Sequence, residues 1–232
     1  MKKLFTFILF LTSQIFAANS IILVGSTFDY PPVTYIESGQ YKGHDIRIMQ
    51  AFAKDNNLTI KFVKTTWPTL SKYLLDNKFT IAIGGISATT ERKQLFLLSS
   101  PIGTSRKVPL IRCADMQKFN SVSKINSPNT RIVENIGGTN QKFAEENFSS
   151  ANIILVNNNQ LPFAYLSNKK ADVMFTDNIE AEYKHQKNPK LCIAKLEKQF
   201  PASDKIFLFN KTEAGQELNL MFNKWWAIHK KI

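Results

Sequence analysis

The chain has 232 residues, of which 44% are hydrophobic, and its 30 Lys and Arg against 18 Asp and Glu give a formal net charge of +12. The hydrophobic content, which includes 18 Phe, is enough for a real core. The basic residues are scattered singly or in pairs rather than gathered into a stripe with interleaved aromatics, which argues against a nucleic-acid-binding protein. The excess positive charge is either a solvated surface or a diffuse field that attracts small anions.

The N-terminal residues have the pattern of a secretory signal peptide. Lys2 and Lys3 precede an apolar run over residues 4–16, and Ala17 and Ala18 supply the small residues of a cleavage site. The apolar run is too short for a comfortable membrane span, and no later segment resembles one. We therefore expect a signal peptide at residues 1–17, cleavage near Ala17, and a periplasmic protein with no stable membrane insertion.

In the first part of the mature chain, short apolar runs alternate with amphipathic helical patterns. Residues 21–24, 58–62 and 79–83 predict strands, and residues 46–53 and 68–74 predict helices with one apolar face. This β-α-β-α-β order implies parallel strands joined by helical crossovers.

Two aromatic residues stand at junctions of these elements. Tyr30 follows Asp29 in a loop that two prolines stiffen, and we expect its ring to be exposed. Trp67 precedes Pro68 where a strand gives way to a helix. Its side chain is either part of the core or a wall of a ligand pocket.

The segment at residues 84–92 joins a predicted buried strand to a helix. Its two glycines let the backbone approach a neighbouring group closely, and Ser87 and Thr89 supply hydroxyls. The free N–H groups of the helix start favour a bound anion, and Arg92 is able to hold a carboxylate through two parallel hydrogen bonds. The alternative is that Arg92 is a solvated first-turn residue and the glycines merely end the strand.

A second series of strands and helices follows a polar connection. Strands are predicted at residues 131–133, 153–156, 173–175 and 191–193, with helices after the first three. An extended segment then returns to a C-terminal helix at about residues 213–229.

Polar loops follow three of the predicted strands, at residues 84–92, 137–140 and 176–180. Ligands of open α/β sheets lie beyond the carboxyl ends of the strands, so we expect these loops to converge on one site. Neither a metal site nor a cofactor is predicted, because His44, His185 and His229 are isolated from one another in the sequence.

The pattern as a whole predicts an α/β fold of two lobes, with the second lobe inserted into the first and two extended hinge connections between them. Lobe 1 is assigned to residues 18–112 and 200–232, and lobe 2 to residues 113–199. The two cysteines, Cys113 and Cys192, either form one disulfide or remain as buried free thiols. Export and their position beside the predicted interlobe strands favour the disulfide.

Over nearly the whole mature chain, these segments resemble the periplasmic solute-binding proteins that carry polar amino acids to ABC transporters. In that family a Thr-x-x-Arg segment of the first lobe binds the ligand carboxylate, and an Asp at the end of a second-lobe strand binds its amino group. Thr89, Arg92 and Asp177 match those positions. The resemblance implies a type II periplasmic-binding-protein fold.

One enzymatic branch of that fold, the cyclohexadienyl dehydratases, is more similar still. The branch converts prephenate to phenylpyruvate and arogenate to phenylalanine. The segments that resemble it are Trp67-Pro68-Thr69-Leu70, Gly84-Gly85-Ile86-Ser87, Arg112-Cys113-Ala114-Asp115, Gly137-Gly138-Thr139-Asn140 and Asp172-Val173-Met174-Phe175-Thr176-Asp177 with the Glu180 that follows.

This resemblance implies that Glu180 is the catalytic acid, which needs a pKa raised by burial and by the nearby Asp177. It also implies a small dicarboxylate substrate and a homo-oligomer. The substrate-binding residues would be Trp67, Ser87, Thr89, Arg92, Gly138, Thr139, Asn140 and Asp177. Without the resemblance, Glu180 would be interpreted as an exposed residue in the first turn of a helix.

Two departures from the branch leave the choice between prephenate and arogenate open. Ile136 stands where a proline is expected, and Gln141 stands where an acid is common. Asp177 would accept a hydrogen bond from the amino group of arogenate, whereas with prephenate it would need a neutralising neighbour. The competing hypothesis is an amino-acid-binding protein of an ABC transporter, which uses Arg92 and Asp177 and needs no acid at position 180. A receptor subunit that only senses a ligand is a third, less favoured hypothesis.

Overall fold

The computed structural model describes residues 21–229, so the predicted signal peptide lies outside the described residues. Across this part of the chain, no helix combines the length and the hydropathy that a membrane span requires.

The strands are short and mostly follow the predicted apolar runs. In chain order they are β1 (Ile21–Ser26), β2 (Asp29–Tyr30), β3 (Thr34–Glu37), β4 (Gln40–Lys42), β5 (Thr59–Lys64), β6 (Ile81–Ser87), β7 (Leu97–Leu98), β8 (Gly103–Arg112), β9 (Arg131–Asn135), β10 (Asn152–Val156), β11 (Val173–Asp177), β12 (Leu191–Ile193) and β13 (Ala202–Phe209).

The helices connect these strands, and most begin at a polar or glycine-rich segment. In chain order they are α1 (His44–Asp55), α2 (Trp67–Leu75), α3 (Thr90–Leu95), α4 (Val122–Ile125), α5 (Thr139–Asn147), α6 (Leu161–Ser167), α7 (Asn178–Lys187) and α8 (Glu213–His229). A single 3-10 turn covers Cys113–Asp115.

The main sheet has the strand order β10-β9-β11-β8-β13-β6-β1-β5. β1 pairs in parallel with β5 and β6, and β9 pairs in parallel with β10 and β11. Parallel pairs require crossover connections, which the helices supply. The structure thus confirms the predicted α/β class.

Two long antiparallel strands, β8 and β13, cross from one half of the sheet to the other. The first part of β8, Gly103 to Arg106, pairs with the first part of β13. The rest of β8 pairs with β11 and β12, and the rest of β13 pairs with β6. The two strands therefore connect the halves of the molecule.

Buried apolar side chains form separate cores on the two sides of these crossing strands. The clusters of lobe 1 draw on residues 22–102 and 206–226, and those of lobe 2 on residues 108–200. Leu110 and Ile111 of β8 belong to the cores of lobe 2, although they precede the predicted boundary at residue 113. The predicted boundaries themselves stay a prediction.

The Arg-Cys-Ala-Asp segment has structural contacts in lobe 2. Arg112 donates to Asp115 at 2.7 Å and to Asp172 at 3.0 Å, and Arg131 also binds Asp172, at 2.9 Å. Burial alone would raise the pKa of Asp172, but the two arginines lower it to about 2. The segment therefore stabilises the packing of lobe 2.

Cys113 and Cys192 are joined in a disulfide, which links the end of β8 to β12. The alternative of two free thiols is not what the structure contains. His185 lies beside the bond, and one potential ligand atom from each of the three residues lies within 4.8 Å of the others. Because the two sulfur atoms are bonded to each other, they are not thiolates available to a metal ion.

Candidate functional site

The three polar loops predicted to converge do meet between the lobes. They contribute to a small cavity of about 20 Å³, which is room for about one water molecule. The cavity is lined by Tyr30, Trp67, Gly85, Lys107, Asn135, Gly138, Thr139, Asn140, Asn159 and Asp177. Half of these residues were predicted as site residues from the sequence, namely Trp67, Gly138, Thr139, Asn140 and Asp177.

Asp177 is at the end of β11, and three side chains bind its carboxylate. Lys205 Nζ lies 2.5 Å from Oδ2, Lys107 Nζ lies 3.1 Å from Oδ1, and the Tyr30 hydroxyl donates to Oδ2. Burial alone would raise the pKa of Asp177, but the two lysines and Tyr30 hold it well below its usual range. Asp177 is therefore ionised, and its charge is already balanced by the protein.

Lys107 and Lys205 lie on the two crossing strands. Lys205 is only 9% exposed, and burial lowers its pKa to about 8. Lys205 also donates to Ser87 Oγ at 2.8 Å, and Lys107 donates to Asn140 Oδ1. Two ammonium groups thus face one carboxylate, which leaves excess positive charge in the cleft.

Tyr30 was predicted to be exposed, and this was wrong, because its side chain lies between the lobes. It is 3% exposed, and burial is the largest of the effects that raise the pKa of its hydroxyl. Its ring packs on Gly85, where an added Cβ would lie 2.4 Å from a ring atom. Gly85 also has a φ of +65°, so both the close approach and the backbone conformation favour glycine.

Gly84 and Gly85 were predicted to let the backbone approach a neighbouring group closely, and that group is a carboxylate of the protein. Their N–H groups donate to Asp45 Oδ2 at 3.1 and 3.0 Å. The strand predicted to end at residue 83 consequently continues as β6 to Ser87. Asp45 is at the start of α1 and 4% exposed, so it ties that helix to the sheet.

Ser87, Thr89 and Arg92 form the edge of lobe 1 at the cleft. Thr89 caps α3 by accepting from the Arg92 backbone N–H at 3.2 Å, and the Arg92 guanidinium donates to the Ser87 carbonyl at 2.7 Å. Burial lowers the pKa of Arg92 to about 10. This partial burial contradicts the alternative in which Arg92 is simply solvated.

Arg92 does not line the small cavity that contains Asp177. Together with Thr89 it lines an adjacent, more open cleft of about 550 Å³. Gly138 and Thr139 line both spaces. The predicted site residues therefore form two adjacent compartments that share the start of α5.

Glu180 is in the first turn of α7, and its side chain is fully buried. Asn159 Nδ2 donates to Oε1 at 2.9 Å, and the Thr176 hydroxyl lies 2.5 Å from Oε2. Burial raises the pKa of Glu180 to about 8, and the charges of Asp177 and Asp29 add to this effect. Glu180 is thus a neutral acid near pH 7, and its interpretation as an exposed helix residue was wrong.

Glu180 lies behind the cavity rather than in its wall. Asn159 does line the cavity and contacts Glu180 directly. Asp177, three residues before Glu180, also lines the cavity, and its charge adds to the effect of burial in raising the pKa of Glu180. The acid therefore lies behind the cavity wall, next to Asn159.

Trp67 is both part of the core and a wall of the cavity, which the sequence analysis had treated as alternatives. It packs against the lobe 1 core that contains Leu70 and Leu74, and it lines the cavity. Lobe 2 meets this region through Gly137, where an added Cβ would lie 2.6 Å from Pro68 N. The start of α2 therefore forms part of the contact between the lobes.

The two departures at the start of α5 have structural roles. The Ile136 backbone N–H donates to the Val156 carbonyl at 3.0 Å, a bond that proline does not make. The Gln141 side chain accepts from the Gly137 backbone N–H at 2.9 Å. The Ile136 backbone amide and the Gln141 side chain thus stabilise the loop that carries Gly138, Thr139 and Asn140.

Sequence reasoning missed five residues that contact this site: Tyr30, Lys107, Asn135, Asn159 and Lys205. Each is far in sequence from at least one of its partners or lies on a strand with no local motif. The two lysines had one indirect indication in the sequence: Asp177 was expected to need a neutralising neighbour when the ligand has no amino group.

The comparisons with known proteins agree with this architecture. The model for the family described as bacterial extracellular solute-binding proteins, family 3, matches residues 22–227. The cyclohexadienyl dehydratase of Pseudomonas aeruginosa is 33% identical over 197 residues, which cover 84% of this chain and 74% of that protein. A probable histidine-binding protein of Campylobacter jejuni is 22% identical over 87% of this chain and 72% of that protein.

Among solved structures, an ancestral amino-acid-binding protein described as a precursor of cyclohexadienyl dehydratase has a TM-score of 0.84. It is 29% identical, and the match covers 91% of this chain and 90% of that chain. The predicted two-lobed fold and the resemblance drawn from the motifs are confirmed. The chain belongs to the family 3 bacterial extracellular solute-binding proteins.

Proposed function

We propose that this protein is a periplasmic cyclohexadienyl dehydratase that converts prephenate to phenylpyruvate. The observation that supports this most strongly is Glu180, a fully buried acid whose pKa of about 8 keeps it protonated near neutral pH. A protein that only binds and releases a ligand does not need such an acid. The P. aeruginosa relative that matches 84% of the chain is named for this activity.

The reaction needs one proton and releases water and CO2. The bond between the ring and its carboxylate breaks and CO2 departs; the electron pair of that bond enters the ring as the C–O bond to the hydroxyl group breaks. Hydroxide is a poor leaving group, so the mechanism requires that the bound substrate reach Glu180, which donates its proton to that oxygen as water departs. General acid assistance of this kind contributes about 10² to 10⁴-fold to the rate.

The charge around Asp177 favours prephenate over arogenate. In an amino-acid complex this carboxylate would accept from the ligand ammonium, but here Lys107 and Lys205 already bind it. A keto acid needs no contact with Asp177, and the excess positive charge attracts the two carboxylates of prephenate. We therefore assign prephenate as the preferred substrate.

The remaining site residues have complementary roles in this proposal. Arg92 binds one substrate carboxylate, and Ser87 and Thr89 fix its position through the Ser87 carbonyl and the cap of α3. The start of α5 supplies donors for the second carboxylate from Gly138, Thr139 and Asn140, and Trp67 packs on the ring. Because this small cavity holds only about one water molecule, the lobes separate to admit the substrate and close to exclude water.

The second candidate is an amino-acid-binding protein of an ABC transporter. Thr89 and Arg92 favour it, since they line an open cleft in the arrangement expected for a ligand carboxylate. The two hypotheses differ in the fate of the ligand: a transport protein binds an amino acid tightly and releases it unchanged.

A direct assay tests the proposal. Purified mature protein is mixed with prephenate near neutral pH, and phenylpyruvate is followed against an enzyme-free control. The same preparation is screened by thermal shift against the common amino acids and arogenate. Catalysed formation of phenylpyruvate supports the dehydratase, whereas thermal stabilisation by an amino acid without any product supports the transport protein and contradicts the proposal.

A further inference from the structure

Asn159 connects Glu180 of lobe 2 to the backbone of lobe 1. The residue precedes α6 and is 1% exposed. Its Nδ2 donates to the Asp29 carbonyl at 3.2 Å and to Glu180 Oε1 at 2.9 Å. Its backbone N–H lies 3.3 Å from Asp29 Oδ2. One side-chain amide thus joins the acid to β2 across the cleft.

The partners of this amide fix its orientation. The Asp29 carbonyl can only accept a hydrogen bond, so the group that faces it must be the NH₂ of Asn159 and not its oxygen. The same NH₂ faces Glu180 Oε1. Since an NH₂ group only donates, Oε1 is held as an acceptor. The proton of neutral Glu180 therefore resides on Oε2, and the rotatable Thr176 hydroxyl, 2.5 Å from Oε2, accepts it.

A second set of contacts supports the same connection. The Gln160 side chain also donates to the Asp29 carbonyl, and Lys184 Nζ binds Gln160 Oε1 at 2.6 Å. Lys184 is on α7, one turn after Glu180. The Asp29 carbonyl is therefore contacted from both the start of α6 and, through Gln160, from the helix that contains the acid.

We propose that Asn159 is a positioning residue that makes the acid function of Glu180 depend on lobe closure. The proposal rests on the dehydratase function above. When the lobes are closed, the Asp29 carbonyl orients the Asn159 amide, and the amide keeps the proton of Glu180 on Oε2. When the lobes separate, the amide loses its lobe 1 partner and this control is lost. Proton donation is thereby restricted to the closed state, in which water is excluded.

A kinetic cycle tests whether Asn159 acts through Glu180. Asn159→Ala is expected to lower kcat for prephenate by about 10²-fold while it changes KM by less than about threefold. In the Glu180→Gln background, the same substitution should cause no further loss, because the group it positions is already absent. The exposed Asn157 provides a matched control, and Asn157→Ala should leave both constants unchanged. Additive losses, or a change in KM alone, would overturn the proposal.

A spectroscopic test needs no turnover and therefore separates this proposal from the proposed function. The infrared difference between wild type and Glu180→Gln at about pH 6 isolates the C=O stretch of protonated Glu180. Loss of the donor to Oε1 in Asn159→Ala should move this band to higher wavenumber, and Asn157→Ala should not move it. A band that stays in place, or its absence in the wild type, contradicts the proposal. If the band moves but the wild type makes no phenylpyruvate, the hydrogen bond from Asn159 to Glu180 is supported. The dehydratase function and the proposed dependence of proton donation on lobe closure are then contradicted.

Discussion

Lys205 Nζ lies 2.5 Å from Asp177 Oδ2, in an ion pair between the crossing strand β13 and the last residue of β11. Both residues are at most 9% exposed. In the proposed function, the ammonium group of Lys205 takes the position that a ligand amino group would need in an amino-acid complex. This one contact separates the two proposed functions more clearly than the fold does.

Substitution of Lys205 tests the role of that ion pair. Lys205→Met removes one cation from the cleft and leaves Asp177 with Lys107 as its remaining ammonium partner. We expect kcat/KM for prephenate to fall by at least about tenfold, since a charged partner in a desolvated site is worth several kcal/mol. Lys198→Met, at an exposed lysine, should leave steady-state kinetics unchanged. Wild-type kinetics in Lys205→Met would show that the ion pair with Asp177 does not contribute to catalysis.

The pH dependence of kcat/KM should report two groups of the free enzyme. Glu180 must be protonated to donate, and Lys205 must be protonated to neutralise Asp177; the pKa of each is about 8. Activity should therefore be level below that pH and fall above it, by up to about a hundredfold per pH unit when both groups lose protons. In Lys205→Arg the guanidinium stays charged, so the fall should become about tenfold per unit. A rate that rises through pH 8 would contradict the assigned acid.

The stability of the protein should also depend on Glu180. Its folded-state pKa of about 8 lies above the ordinary value of 4.5, so the folded state binds this proton more tightly than the unfolded state does. The contribution of Glu180 to the free energy of unfolding should therefore be fully present below about pH 4.5 and decrease as pH rises towards about 8. Urea denaturation at about pH 5 and about pH 8 measures the difference.

Glu180→Gln should remove much of this decrease. A residual slope is expected from Glu134, a second fully buried carboxyl whose pKa burial raises. Lys205, whose pKa in the folded state is about 8, stays largely protonated in both states over most of this range and contributes only near its upper end. Equal slopes in wild type and Glu180→Gln would mean that Glu180 is ionised throughout the range.

The sequence predicted the strands and helices well because their apolar residues repeat with the period of the element that buries them. Ile81 and Ile83, for example, stand in a β-branched run, and both are fully buried in β6. Asp177 and Glu180 were found through their spacing after a strand and through the resemblance. These features are local in the chain, so a single sequence shows them.

The contacts between the lobes were not predictable in the same way. Tyr30 looks like an exposed loop residue, and Lys205 looks like one of many scattered lysines. Their burial depends on Asp177, which lies 147 residues from Tyr30 and 28 from Lys205. Likewise, nothing near Gly84 and Gly85 indicates that Asp45, about 40 residues earlier, binds their amides.

The disulfide should contribute to stability without contributing to catalysis. It closes a loop with a sequence separation of 79 residues, which the chain-entropy model values at about 4 kcal/mol. The double variant Cys113→Ser and Cys192→Ser should lose about that much free energy of unfolding and keep kcat, because neither residue lines the cavity. Reduction of the wild type should give the same loss and should not affect the double variant. Loss of kcat in the folded double variant would contradict this separation.

Substitution of Gly137 tests the contact between the lobes. In Gly137→Ala the new Cβ would lie 2.6 Å from Pro68 N, and φ is +81°. We expect closure to be hindered and kcat/KM to fall by about 10²-fold, with a larger radius of gyration in small-angle scattering at saturating prephenate. Gly39→Ala is the matched control, because its φ is +75° but no atom lies within 4 Å of the added Cβ. Equal effects of the two substitutions would show that backbone strain, not the contact, is responsible.

The central claim is that Glu180 donates a proton to prephenate, and comparing binding with turnover tests it most directly. Glu180→Gln keeps the shape and the hydrogen-bonding capacity of the side chain but has no acidic proton. The account predicts that prephenate binds the variant within about tenfold of the wild-type affinity while turnover falls by about 10² to 10⁴-fold. Wild-type turnover in Glu180→Gln would contradict it.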